Sequence, residues 1–201
     1  MKNQNSKICI FILGILGYSD KKHLSKFNVG RRTLSNLLEE DVIKKHYLMI
    51  GDTTEWVYFL SNKGIRQFKK YYSHYELGKS RSMVHDYIHS NIILDYANTI
   101  DELYTYTNEK AIRNKLREEI KSCELQLGIS IGCPDCSIII NGKKLYIETI
   151  LTRGKERELK KKNFRYVIED DAELIIYKSG KKGGEHYEKE NRFFFSPNIY
   201  R

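Results

Sequence analysis

The sequence has 201 residues, 40% hydrophobic and 30% charged, enough for two small hydrophobic cores, and its 2 prolines argue against long disordered linkers. Its net charge of +9 is unevenly spread: through Glu76 there are 13 Lys+Arg against 7 Asp+Glu, and beyond it 22 against 19, so the basic excess of the first third favours a polyanionic partner there. Cys9, Cys123, Cys133 and Cys136 make no disulfide framework, and the apolar run from Ile8 to Leu16 is too short to span a bilayer and has no cleavage pattern, so a cytoplasmic chain with no membrane partner is expected.

Ile8, Ile10, Phe11, Ile12, Ile15 and Leu16 are apolar nearly all the way round a helix, which predicts a central buried helix from about Ser6 to Gly17. Ser19-Asp20 caps a short second helix to Phe27, with Leu24 and Phe27 inward. Asn28-Val29-Gly30 makes a tight turn, and a third helix starts near Arg31, with Leu34, Leu37, Leu38 and Val42 as its buried stripe. His46 to Ile50 and Trp56 to Leu60 read as two strands of a hairpin around Gly51-Asp52-Thr53-Thr54. Ser61 then caps a fourth helix, Asn62 to Tyr72, with Ile65 and Phe68 packing back.

Short helix, turn, helix, hairpin, helix is the order of a winged helix-turn-helix. The run Leu60-Ser61-Asn62-Lys63-Gly64 resembles the Leu-Ser/Thr-x-x-Gly stretch that ends the wing in many winged-helix regulators. Such a domain, residues 1–76, presents its third helix to the major groove of duplex DNA. Its outward residues near the N-terminus are then Arg31, Arg32, Thr33, Ser35 and Asn36: arginine can pair bidentately with guanine, asparagine with adenine, and hydroxyls with phosphate. Lys44, Lys45 and His46 after that helix, with Thr53 and Thr54 at the wing tip, are expected on the DNA backbone.

A second domain, residues 77–201, is expected to be a small α/β unit. Ser82 to Ala97 gives a helical stripe through Met83, Ile88, Ile92, Ile93 and Tyr96. Leu103 to Thr107 reads as a strand, and Asn108 caps a polar helix, Glu109 to Ser122, read as a peripheral insertion. Ile138-Ile139-Ile140, Asn141-Gly142 and Leu145-Tyr146-Ile147 form a hairpin. A basic helix from about Lys155 to Tyr166 and a buried strand, Leu174 to Tyr177, follow.

Pro134-Asp135 opens the first of these hairpin strands and Glu148 closes the second, an arrangement that resembles the core of PD-(D/E)xK nucleases. The resemblance implies Asp135 and Glu148 as Mg²⁺ ligands, with a lysine two residues after the Glu to activate water. Ile150 stands where that lysine belongs, and Lys155 or Lys160 would have to replace it, so the second domain reads as a degenerate nuclease core with no catalytic residue and no cofactor, Mg²⁺ entering only if the site is active. With the His85-Asp86 pair, the whole order resembles the replication-relaxation family of plasmid and mobile-element proteins. The resemblance implies a sequence-selective double-stranded-DNA-binding protein acting in plasmid replication, relaxation or transfer, or in its control, with a relaxase or replication protein as a further partner. An active Mg²⁺-dependent endonuclease and a dimeric transcription repressor are the alternatives.

Other chemistry is less well supported. Cys133-Pro134-Asp135-Cys136 is a C-x-x-C without a second one and without a paired histidine motif, and a strand rather than a helix follows it, against both zinc and redox roles. His85 and His89 lie one turn apart and are candidate ligands as a pair. Lys155, Arg157, Lys160, Lys161, Lys162 and Arg165, with the Lys181-Lys182-Gly183-Gly184 loop, are read as a solvated basic face or a second phosphate-contacting surface, and the tail with Phe193-Phe194-Phe195 and Tyr200 as packing on the domain or a partner chain.

Overall fold

The computed structural model describes residues 4–50, 53–78, 82–150, 163–164, 167–169, 171–179 and 187–193. The fold is mixed α+β, with two sheets in two compact units: one runs from the N-terminus to Tyr104 and the other from Thr105 onward. Among the described residues no helix is long and apolar enough to cross a membrane.

In the first unit, helix α1 (Gln4–Leu16) is buried continuously from Cys9 to Leu16, as its all-round apolar sequence requires. Strand β1 (Ser19–Asp20), helix α2 (Lys21–Lys26) and helix α3 (Arg31–Glu39) follow. Strands β2 (Ile43–Ile50) and β3 (Thr53–Leu60) form an antiparallel hairpin, completed by β1 into a sheet of order β1-β3-β2.

Two helix ends in this unit share one mechanism. After α2, Asn28 takes a left-handed φ of 62°, its N–H donates to the Ser25 carbonyl, and the Val29 N–H donates to the Leu24 carbonyl. After α3, Asp41 takes φ 51°, its N–H donates to Leu38, and the Val42 N–H donates to Leu37. Both are Schellman endings, each with a fully buried valine closing the contact. The left-handed residue of the first turn is Asn28, and Val42 is buried beyond the helix end and not within its stripe.

Helix α4 (Asn62–Tyr71) explains the Leu-Ser-x-x-Gly run physically. The Ser61 hydroxyl oxygen accepts from the N–H groups of Lys63 and Gly64, both at 3.1 Å, and its O–H donates to the Asp41 carbonyl at 2.6 Å. A Cβ on Gly64 would lie 2.1 Å from the Val42 carbonyl oxygen, so only glycine lets the first turn of α4 settle on the end of α3.

The first unit extends past residue 76, where the domain boundary was expected. Gly78 is tucked against α1, its N–H donating to the Gly14 carbonyl at 2.9 Å, with so little room that a Cβ would meet the Ile15 carbonyl. Helix α5 (Met83–Tyr96), capped by Ser82, is buried from Asp86 to Leu94 and packs on α1, α2 and β1. Helix α6 (Ile100–Tyr104) replaces the strand expected at Leu103–Thr107. A capping box starts it: Glu102 Oε2 accepts from the Asn98 and Thr99 N–H groups, while the Glu102 N–H donates to Thr99 Oγ1. Tyr104 then joins Tyr72 and Tyr75 around Phe11, with ring centroids 4.7 to 5.0 Å from it, and burial pushes the Tyr72 hydroxyl pKa up to about 12.

The second unit is a sheet of order β4-β5-β6-β7-β8. Strand β4 (Thr107–Asn108) leads into helices α7 (Glu109–Lys115) and α8 (Arg117–Leu127), which break at Leu116 where one helix was expected. They are not a peripheral insertion: Ile112 and Ile120 enter the core with Tyr146, Ile150, Leu174 and Ile176. Strands β5 (Cys136–Ile140) and β6 (Lys143–Ile150) form the expected hairpin, Asn141 and Gly142 both taking positive φ as a tight turn demands. Strand β7 (Glu173–Ser179) runs parallel to β6, and β8 (Tyr187–Phe193) is antiparallel to β7. The basic helix expected at Lys155–Tyr166, including Lys155, Arg157, Lys160, Lys161, Lys162 and Arg165, falls almost wholly outside the described residues, as do Lys181, Phe194, Phe195 and Tyr200.

Candidate nucleic-acid interface

Helix α3 divides cleanly into two faces. Thr33, Leu34 and Leu37 are buried, and Arg31, Arg32, Ser35 and Asn36 are exposed. Thr33, expected to face outward, is 7% exposed because helical spacing places it beside Leu34 and Leu37. It is withdrawn from the candidate contacts. Ser35 Oγ lies 3.3 Å from Glu39 Oε1 on the exposed face.

The charges of α3 run against its dipole. Its first turn holds Arg31 and Arg32 and no acid, while Glu39 ends the helix and Glu40 and Asp41 follow it. A helix end gains from the opposite arrangement, so these charges are not there to stabilise the helix.

Asp20 anchors α2, which precedes α3. Asp20 Oδ1 accepts from the His23 N–H at 2.8 Å as the N-cap, and Oδ2 lies 2.8 Å from His23 Nδ1 and accepts from the Tyr87 hydroxyl at 2.7 Å. His23 Nε2 in turn lies 3.3 Å from Asp95 Oδ1, and the Lys26 ammonium donates to the Leu94 carbonyl. Burial works to raise the Asp20 pKa, but the hydrogen bonds from His23 and Tyr87 outweigh it and hold the carboxyl below its ordinary range. Two ends of α5 thereby grip α2.

On the hairpin, Lys44, Lys45 and His46 are exposed on β2, and Thr53 and Thr54 on β3 next to the turn. Thr53 Oγ1 donates to the Ile50 carbonyl and Thr54 Oγ1 to the Tyr47 hydroxyl, both at 3.0 Å. Sequence reasoning missed the neighbours of these residues: Tyr47, Met49 and Trp56 are 51%, 70% and 49% exposed. Their signal was present in the alternation, because this hairpin has apolar residues on both of its faces, and toward the tip only Leu48 and Val57 are buried.

In the second unit, Asp135 lies just before β5, one position beyond the Cys136↔Ile147 pair, and so level with Glu148 on β6. The Thr149 N–H donates to Asp135 Oδ2 at 2.7 Å, and Glu148 is 4% exposed. Two carboxylates can hold Mg²⁺, which keeps much of its water shell. The cationic partner of the nuclease motif is not at its place: Ile150 is 3% exposed within the core, and Lys155 and Lys160 lie outside the described residues. Among the described residues the two candidate acids thus stand level with one another without the lysine of the nuclease motif.

Cys133 and Cys136 are buried thiols outside any disulfide, and burial, followed by the Asp135 charge, pushes the Cys136 thiol well above its ordinary pKa, which keeps it protonated. His85 and His89 stack with centroids 6.0 Å apart, and His85 Nδ1 lies 3.7 Å from Asp86 Oδ1. Among the described residues no group of three or more His, Cys, Asp or Glu is placed to hold a metal ion. No protein-family model, curated protein or solved structure matches the chain.

Proposed function

We propose that this chain is a sequence-selective duplex-DNA-binding protein whose first unit acts as a winged helix, with α3 in the major groove and the β2–β3 hairpin as the wing. The observation that carries the reading is the exposed face of α3. Arg31, Arg32, Ser35 and Asn36 are a base- and phosphate-reading set held on a rigid buried stripe, and their charge opposes the helix dipole. Lys44, Lys45, Thr53 and Thr54 supply backbone contacts beside it. Plasmid or mobile-element replication, transfer or its control is the setting that the element order suggests, with a replication protein or relaxase as the second partner.

The test is Arg31→Ala with Arg32→Ala, measured on the best site selected from random duplexes. Each base-reading contact is worth roughly 1 to 3 kcal/mol, so affinity is expected to fall by about tenfold or more, with relaxed specificity. Affinity equal to wild type across salt concentrations would refute the assignment of α3. Sedimentation on a palindromic site distinguishes the repressor alternative, which requires a dimer.

A second reading rests on the Asp135–Glu148 juxtaposition: a Mg²⁺-dependent endonuclease. Plasmid DNA incubated with the protein and Mg²⁺ or Mn²⁺ is expected to stay supercoiled under the first reading. Nicking that disappears in Asp135→Ala would establish the second.

A further inference from the structure

The β2–β3 hairpin has two faces, and the register assigns each residue to one of them. Tyr47 pairs with Trp56, Lys45 with Tyr58 and Met49 with Thr54, so these six side chains share one face. Toward its tip that face is apolar, aromatic and open to solvent: Tyr47, Trp56 and Met49 are each about half exposed or more. Large apolar groups held in water side by side on a rigid element mark a contact surface and not a core.

The face is also pre-formed. Tyr47 and Trp56 meet edge to face at 4.8 Å, the Lys45 ammonium sits 4.8 Å from the Trp56 ring centroid, and the Thr54 hydroxyl donates to the Tyr47 hydroxyl at 3.0 Å. Among the described residues its only charged residue is Lys45; Lys44, His46 and Glu55, the one acid of the described hairpin, point to the opposite face. Paired aromatic rings with a lysine at their margin and, among the described residues, no acid on the same face match a nucleotide: the rings offer stacking surface to a base, and the ammonium faces its phosphate. A second copy of this chain is a poorer match, since β2 is a sheet edge carrying Lys44 and Lys45, which discourages strand-to-strand pairing.

We propose that this hairpin face binds unpaired nucleotides of single-stranded DNA by stacking bases on Trp56 and Tyr47, with Lys45 on the backbone. The inference deepens the duplex-binding reading: α3 addresses a duplex site, and the hairpin holds a strand separated from it.

Trp56 is the only tryptophan of the chain, so its fluorescence reports this face alone. Titration of the full chain with a short oligothymidylate at low salt is expected to quench that fluorescence saturably. Tyr47→Ala should weaken the interaction by roughly tenfold, a typical effect of losing one stacking ring, and Lys45→Ala should flatten its salt dependence. Both side chains are exposed, and the wild-type quench itself needs no variant.

Four results would overturn the proposal: no quench by the oligonucleotide; an equal quench by inorganic polyphosphate, which has no bases; a response only to anionic phospholipid vesicles; or a concentration-dependent dimer that Tyr47→Ala abolishes. The two readings fail separately. If α3 is misassigned, duplex affinity survives the double arginine substitution while the oligothymidylate quench stands. If the hairpin is misassigned, the quench is absent whatever the duplex result.

Discussion

In the first unit the charges that matter to the proposed function stand outside the fold, whereas in the second the notable charges are inside it. Arg31, Arg32, Lys44 and Lys45 are exposed, the two arginines on a helix whose opposite side is packed. Glu148 and Glu173 are 4% and 7% exposed within the sheet, Glu173 holding the Lys143 ammonium at 2.7 Å. The difference decides what a substitution can report. An exposed cation can be removed with the fold intact, so its loss reads out binding. A buried carboxylate is part of the packing, so any change there registers first as stability.

The glycines give the largest expected contrast between the units. Gly64→Ala places a methyl 2.1 Å from the Val42 carbonyl, so α4 or the end of α3 must shift. We expect a loss of about 1–3 kcal/mol or more, the usual range for overpacking, and with it the placement of the hairpin. Gly128 in the second unit has nothing within 4 Å and needs only its left-handed φ of 62°. Gly128→Ala should cost about 1 kcal/mol. Thermal melts of the two variants check the order; equal losses would mean that α4 can rearrange without penalty.

A comparable but pH-dependent effect is expected at Asp20, the buried acid of the first unit. Asp20→Asn removes the charge that His23 and Tyr87 serve and should cost roughly 1–3 kcal/mol at neutral pH. Because the folded carboxyl is held below its ordinary value of about 3.9, its contribution is complete above that pH and is lost as pH falls through the lowered value. The stability gap between wild type and Asp20→Asn should therefore be constant near neutrality and close in acid. A gap that persists unchanged to low pH would assign the loss to packing alone.

Much of the element order was legible because local chemistry and burial agreed. The all-round apolar α1, the Ser61 cap with Gly64, and Asn141-Gly142 between two apolar runs each carry their own signal. Where local and tertiary signals competed, the sequence misled. Leu103 to Thr107 looks like a strand by its aromatic and β-branched content, yet the capping box Thr99…Glu102 upstream had already committed Ile100–Tyr104 to a helix. Gly78 looks like a linker glycine, and its use as a close contact with α1 is visible only in three dimensions.

The candidate contacts followed the same logic. Arg31, Arg32, Ser35 and Asn36 were legible from helical spacing, and Thr33 was misplaced because its polarity outweighed its position beside Leu34. The exposed ring pair Tyr47 and Trp56 went unread because aromatic residues in a strand are counted as core by default.

The parallel pairing of β6 and β7 bears on the order in which the molecule is made. Antiparallel neighbours such as β5 and β6 can zip as soon as their turn has formed, but β6 must wait for β7 across a crossover of some twenty residues. The first unit has α1 through α6 within 104 consecutive residues, all of which leave the ribosome before β7 exists. Its assembly runs ahead of the second sheet during synthesis, so the exposed face of α3 is set on a nascent chain whose central strand, β6, still has one edge open.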